Sequence, residues 1–359
     1  MFQTLANWYK RYFSDPHAVL LALILIVGFT VVLTMGNMLA PALAAIVLAY
    51  LLEDIVQYVK HRLKIPRYYS VLIVYILFLA FTVFLIFGIV PSIVFQVKEL
   101  VRELPNYIAK GKETLLQLPQ HYSLVSVKQV EKFVESFDKE LATMGQQVLT
   151  FSLSSIPNMI TLLVYSILVP LLIFFFLKDK WILLSWLSRF LPPERRMASQ
   201  VWEEMDQQLG NYVRGKFWEI VIVTVACVIS FGLMGLKYAI LLSVLVGLSV
   251  LVPYIGAAVV TIPVAFIAYF QWGWTSEFAY LMVAYTIIQA LDGNVLVPLL
   301  FSEVVNLHPV AIIVSILVFG GLWGFWGIFF AIPLATLVSA TLRAFSHLPE
   351  HESPVTPTP

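Results

Sequence analysis

The chain is short of charge. Asp, Glu, Lys and Arg make up only 12% of its 359 residues, against roughly 25% in an ordinary soluble domain. So few charges could not cover a water-soluble globule of this size. Disorder is excluded too, since it requires low hydrophobicity and high net charge. The 22 Lys and Arg nearly cancel the 21 Asp and Glu, leaving +1. No global field therefore attracts a polyanion, and no nucleic-acid partner is expected. A single cysteine, Cys227, excludes an intrachain disulfide framework and a cysteine-rich metal site. Also missing are a G-x-x-x-x-G-K-[S/T] phosphate loop, an H-E-x-x-H zinc motif and a serine in G-x-S-x-G. Those absences argue against an ATP-driven pump and against an enzyme, and no cofactor or metal is expected. What the chain has is apolar length: 60% of its residues are hydrophobic and mean hydropathy is +0.89. The expected class is an all-α polytopic membrane protein.

Crossing the hydrocarbon takes about 20 apolar helical residues, so the spacing between charges maps the spans. Ala18–Leu52, Tyr68–Val97, Leu141–Leu177, Ile220–Leu236, Tyr238–Ser276 and Val304–Leu342 are free of Asp, Glu, Lys and Arg, and Phe278–Phe301 is interrupted only by Asp292. The pattern predicts about eight membrane segments. The first run is too long for one crossing and is predicted to break at Gly36-Asn37, giving spans at 17–36 and 38–52. Others are predicted at 68–90, 153–177 and 217–236. Segments 239–271, 278–301 and 308–342 each carry internal Pro or Gly, which predicts broken or re-entrant helices in the C-terminal half. Lys10 and Arg11 before the first apolar stretch resemble a signal peptide, but no small-residue cleavage site follows that stretch, so an uncleaved anchor is expected.

Basic residues cluster at the N-terminus, at Lys60, Arg62, Lys64 and Arg67, and within 178–216. By the positive-inside rule these lie in the cytoplasm. The N-terminus is then cytoplasmic, and an even span count returns the C-terminus there. The expected organisation is membrane segments over 1–90, an extracytoplasmic amphipathic segment over 91–150 and a further crossing at 151–177. A cytoplasmic amphipathic segment at 178–216, a membrane core at 217–345 and a polar tail at 346–359 follow. Of 43 charged residues, 27 fall in 91–140 and 178–219.

Within 97–140, apolar residues recur at three and four, as expected of amphipathic helices, with Pro105, Pro119 and the 121–126 stretch dividing them. This segment is a structural subdomain or oligomer contact, or else a gate. In the second polar segment Trp181 and Trp186 suggest an interfacial belt, and a helix over 194–216 is predicted to lie on the membrane surface.

The chemistry concentrates after residue 245. Irregular backbone in hydrocarbon is tolerated only against protein or a wet interior. Pro253, Tyr254 and Gly256 interrupt a 39-residue uncharged run, either as a kink or as a re-entrant hairpin. A comparable break spans Gly320, Gly321, Gly324 and Gly327 before Pro333; the three-residue spacing of 321, 324 and 327 suggests one small packing face. Paired interrupted segments also point to a midplane binding site. Between them Asp292 stands alone in an apolar stretch, at a cost of about 3 kcal/mol even on the lenient insertion scale. It should face a wet interior, find a partner, or carry a proton or cation; a wetted, helix-capping Asp is the other reading. Gln289 and Asn294 offer ligands beside it. Glu303, Asn306 and His308 form a second polar group in which His308 either titrates or serves structurally before Pro309. Glu219, at the start of the fifth span, is suspect for the same reason as Asp292.

The stretches Phe175–Lys180, Val252–Gly256, Leu291–Pro298 and Asn306–Pro333 resemble the autoinducer-2 exporter (AI-2E) family of bacterial membrane proteins, and within it the permease type. The resemblance runs over nearly the whole chain and is most specific from 245 to 335. It implies an inner-membrane transporter that exports a small solute, with Na⁺/H⁺ antiport as an alternative, and a homo-oligomer in the bilayer. Many relatives carry Glu where this chain has Asp292. The leading expectation is a secondary transporter with Asp292 and Asn294 as coupling or substrate ligands. A non-transporting scaffold, docking through 97–140 and 178–216, is the rival of another class.

Overall fold

Helix α1 is a single rod of 48 residues, Pro16–Leu63, about 72 Å long at 1.5 Å per residue. It runs straight through Gly36-Asn37, so the two crossings predicted at 17–36 and 38–52 are one helix. A Gly-Asn pair weakens a helix, but opening a turn in hydrocarbon would strand backbone groups that nothing there can satisfy. Gly36 serves packing instead. Its Cα faces the Trp323 indole, and a Cβ at that position would overlap the ring nitrogen.

The computed structural model describes residues 16–121, 155–189, 196–253, 255–301 and 307–346, and the regular structure among them is helical. After α1 come α2 (Arg67–Phe84), a π turn at Leu85–Ile89 and α3 (Val90–His121), joined without a break. The divisions expected at Pro105 and Pro119 are absent, because α3 passes through both. A proline forfeits one helical hydrogen bond. Pro105 and Val101, four residues before it, are both exposed, so the freed carbonyl there can be solvated. The apolar side of α3 docks on the core. Buried Tyr107 meets the rings of Phe266 and Phe270, and Gln96 accepts a hydrogen bond from the Leu241 amide at 2.9 Å. The second half of the predicted amphipathic segment lies outside the described residues.

Helix α4 (Ser155–Lys178) and α5 (Lys180–Ser188) follow, with Trp181 and Trp186 exposed on α5. The predicted surface helix and fifth span form one continuous helix, α6 (Arg196–Leu233). Its inward stripe of Tyr212, Val213, Lys216, Glu219, Val223 and Cys227 is buried over several turns. Then come α7 (Ala239–Ser249), α8 (Ile255–Trp272), α9 (Ser276–Leu291), a π turn at Asp292–Leu296, α10 (Val297–Phe301), α11 (Pro309–Phe329) and α12 (Ala331–Ser346).

Three apolar clusters hold these helices together. One joins α1, α2 and α4 around Ala45, Val56, Val74 and Ile173. The second joins α6 to α7, α8 and α9 around Phe231, Val246, Val264 and Leu281. The third joins α6 to α10, α11 and α12 around Tyr212, Phe301, Ile316 and Ala331. Helix α6 takes part in two of the three and is the spine of the core. Adjacent acids on α1 tie the first bundle together and to that spine. Glu53 receives both Arg67 guanidinium branches at 2.7 and 2.8 Å, and Arg67 also donates to the Leu177 carbonyl at the end of α4. Asp54 pairs with Arg214 of α6.

Six helices among the described residues are long and apolar enough to cross a membrane, joined by three shorter apolar ones. Large apolar side chains such as Phe87, Ile229, Leu233 and Leu317 lie exposed on the helix exteriors, where a bilayer would cover them. The chain is an all-α, multi-pass membrane protein.

Candidate functional site

The first break is a hairpin. Helix α7 has 11 residues, about 16 Å, roughly half of a 30 Å hydrocarbon layer. Its last turn tightens, with the Val252 amide bonded to the Ser249 carbonyl, and the chain reverses through Pro253 into α8. Gly256 lies directly against the Ser249 carbonyl. These residues are seven apart and would sit about 10 Å apart on a straight helix, so the contact requires the reversal.

A second reversal lies inside α11. Gly324 has φ 60° and ψ −134°, a conformation open essentially to glycine alone. Beyond it Gly327 packs on the Phe319 carbonyl, and Gly320 meets the Ile328 side chain. The expectation of one small face at 321, 324 and 327 is therefore corrected. Gly324 makes the turn and Gly327 the close approach, while nothing neighbours Gly321 within 4 Å. Pro333 is buried in the first turn of α12, where a missing amide hydrogen costs nothing.

Both breaks end on α6. Tyr212 donates its hydroxyl to the Phe329 carbonyl at 2.9 Å. One turn on, Lys216 donates Nζ to the Val250 carbonyl at 2.8 Å. Positions i and i+4 share a helix face, so two donors from one stripe satisfy the carbonyl ends of both interrupted helices. An ammonium is well placed there, because a helix C-terminus carries partial negative charge. Lys216 also pairs with Glu219 at 2.8 Å. It lies 5.1 Å from the centroid of the Phe301 ring, and that ring packs against Gly215 and near Tyr212.

Asp292 opens the π turn between α9 and α10, a helical irregularity frequent at functional sites. It is buried, and its Oδ1 has no hydrogen-bond partner among the described residues. It lies within electrostatic reach of Lys216, Glu219 and Cys227 on α6. One helical turn before it, the Nε2 of Gln289 is likewise buried and without a partner among the described residues, as is the Ser243 hydroxyl on α7. The centre therefore comprises Lys216, Glu219, Asp292 and the Val250 carbonyl, with Gln289 one helical turn before Asp292.

Other predicted residues lie elsewhere. Asn294 is exposed and its amide donates to the Ala290 carbonyl of its own helix at 2.8 Å, so it does not join Asp292 there. His308 is exposed and structural: its Nδ1 accepts from the Val310 amide at 3.2 Å, capping α11. Pro253 is half-buried in the first reversal. Tyr254, Glu303 and Asn306 lie outside the described residues. Sequence reasoning missed Tyr212 and Lys216 and only suspected Glu219. The available signal was their spacing: 212, 216 and 219 fall on one face as α6 enters its uncharged run.

Interrupted helices whose ends meet buried ionisable groups, in a multi-pass helical fold, are the architecture of membrane transporters. Comparison with known proteins agrees. The model of the AI-2E family transporters matches residues 20–347, and the chain belongs to that family. It is 46% identical over 349 residues to the "Putative permease PerM" of Escherichia coli (strain K12), covering 96% of this chain and 98% of that one. It is 28% identical over 333 residues to the "Putative transport protein YueF" of Bacillus subtilis (strain 168), covering 88% of each. A "Putative transport protein" of Thermotoga maritima is 21% identical over 338 residues, covering 94% of this chain and 97% of that one.

Proposed function

We propose that this chain is a secondary transporter of the bacterial inner membrane, exporting a small solute such as a signal molecule or metabolite. The observation that carries this reading is the convergence of two reversed half-helices on one stripe of α6, the first on Lys216 and the second on Tyr212, beside the buried acids Glu219 and Asp292. Unsatisfied polar atoms at such depth are expensive. Here they lie where irregular backbone also lies, as in a path for polar cargo. Asp292 and Gln289 are the ligands offered to the solute; Asn294, committed to the Ala290 carbonyl, drops from that set. Energy would come from an ion gradient or from the solute's own gradient.

A second reading, Na⁺/H⁺ antiport, is favoured by the carboxylate in excess of the single ammonium. Proteoliposomes holding wild type or Asp292→Asn separate these readings when a panel of solutes is followed alongside Na⁺ and H⁺. Solute flux by wild type, lost in Asp292→Asn, is the expected result. Na⁺ and H⁺ exchange without solute movement would favour the antiporter. No flux of any kind from correctly folded protein would contradict transport and favour a scaffold.

A further inference from the structure

Lys216, Glu219 and Asp292 are 4%, 2% and 8% exposed, so two carboxyl groups and one ammonium share one interior. Helix α6 brings Lys216, Glu219 and Cys227 within electrostatic reach of Asp292, and Tyr212 within reach of Glu219. Gln289 of α9 lies one helical turn before Asp292, and the Val250 carbonyl at the end of α7 is held by Lys216. Tyr285 of α9 lies near Cys227 and is bonded to Thr261. Among the described residues no second Lys or Arg acts on either acid. With all three groups ionised, the interior would hold one uncompensated negative charge, at a penalty of several kcal/mol. It is neutral only with one more positive charge.

A proton suits that role better than a metal cation. A metal ion needs several oxygen ligands, and the ammonium of Lys216 already lies 2.8 Å from two of the oxygens here, of Glu219 and of Val250. A proton needs one lone pair, and Asp292 Oδ1 is buried without a partner among the described residues. Lys216 Nζ lies 2.8 Å from Glu219 Oε2 and 2.8 Å from the Val250 carbonyl, so it is shared between an acid and a helix end.

We propose that these three residues form a site for one exchangeable proton, and that its loss weakens the hold of Lys216 on the Val250 carbonyl and so loosens the first hairpin. The proposal deepens the transport reading and rests on it for its purpose, although its chemistry needs no solute. On unloading, the O–H bond of the Asp292 carboxylic acid breaks, the electron pair stays on oxygen and the proton goes to water. The new carboxylate, a stronger acceptor than a neutral carbonyl, then draws the Lys216 ammonium toward itself and away from Val250.

Infrared difference spectroscopy of the full chain in lipid nanodiscs, titrated with pH, counts protonated carboxyl groups. Wild type should show one buried protonated carboxyl that titrates. Asp292→Asn should lose it, and so should Glu219→Gln, because either change leaves one acid to balance one ammonium. Lys216→Gln should show two. A wild type without such a group, or a Glu219→Gln variant that retains it unchanged, would overturn the proposal. So would its displacement by Na⁺ at fixed pH, which would mark a metal-cation site. Hydrogen exchange supplies the second readout. At a pH where wild type is unloaded, backbone amides in 250–256 should exchange about tenfold more slowly in Asp292→Asn, the factor for one retained charge-assisted hydrogen bond. Equal rates would overturn control of the hairpin. Neither measurement requires flux, so a protein that titrates as described but carries no solute would contradict only the transport reading.

Discussion

Replacing Lys216 by methionine is expected to cost about 3–5 kcal/mol of stability, the range for removing one partner of a buried ion pair. Replacing Glu219 by leucine in the same chain should return most of that loss. Lys216 and Glu219 are almost fully enclosed, so the single variant leaves two carboxyl groups in an apolar interior with no cation. Both must then be desolvated as anions or protonated. The double variant removes one acid with the base, and well-packed apolar replacements for a buried pair are often neutral or better. Recovery should remain incomplete by about 1 kcal/mol, because the Val250 carbonyl has lost its donor. Thermal denaturation of purified protein in one detergent checks this. A single variant as stable as wild type would mean that the charges are not buried as described.

Gly256→Ala and Gly327→Ala are expected to be strongly damaging. Each new Cβ would overlap a backbone carbonyl, of Ser249 or Phe319, and backbone cannot swing aside as a long side chain can. Overpacking of this kind costs about 1–3 kcal/mol, occasionally more. Gly321→Ala is the internal control. It has open space around it and sits in helix, where alanine is favoured over glycine by about 1 kcal/mol. The two classes should therefore move the melting temperature in opposite directions, although all three positions look alike in the sequence. Equal effects would refute the hairpin geometry.

Much of the fold is legible in the spacing of charges, because a span is a local property: some twenty residues decide it. The interruption at Pro253–Gly256 is legible for the same reason, as is the isolation of Asp292. The breaks misread from sequence share one cause. Gly36, Pro105 and Pro119 carry the same local signals as Gly324, yet only Gly324 turns the chain. What differs is the neighbour, namely the Trp323 indole against Gly36 and open surroundings at Pro105, and neighbours are not written locally. Lys216 is hidden for a related reason. It sits among basic residues that read as a cytoplasmic charge cluster, and its partners Val250 and Asp292 lie 34 and 76 residues further along the chain. Asn294 misleads in the opposite sense, being adjacent to Asp292 in sequence but pointed at its own helix.

The central claim is that the first hairpin reverses inside the bilayer at a place reached by water. In a Cys227→Ala background, Val252→Cys places a thiol at the half-buried reversal and Val259→Cys places one on the exposed face of α8, 59% exposed. Reaction with a charged, membrane-impermeant thiol reagent in lipid vesicles is the measurement. Labelling at 252 but not at 259, with both reactive toward a lipid-soluble reagent, is the predicted result. If 252 is as inert to the charged reagent as 259, the reversal faces lipid or packed protein, and the account of a polar path at this junction is wrong.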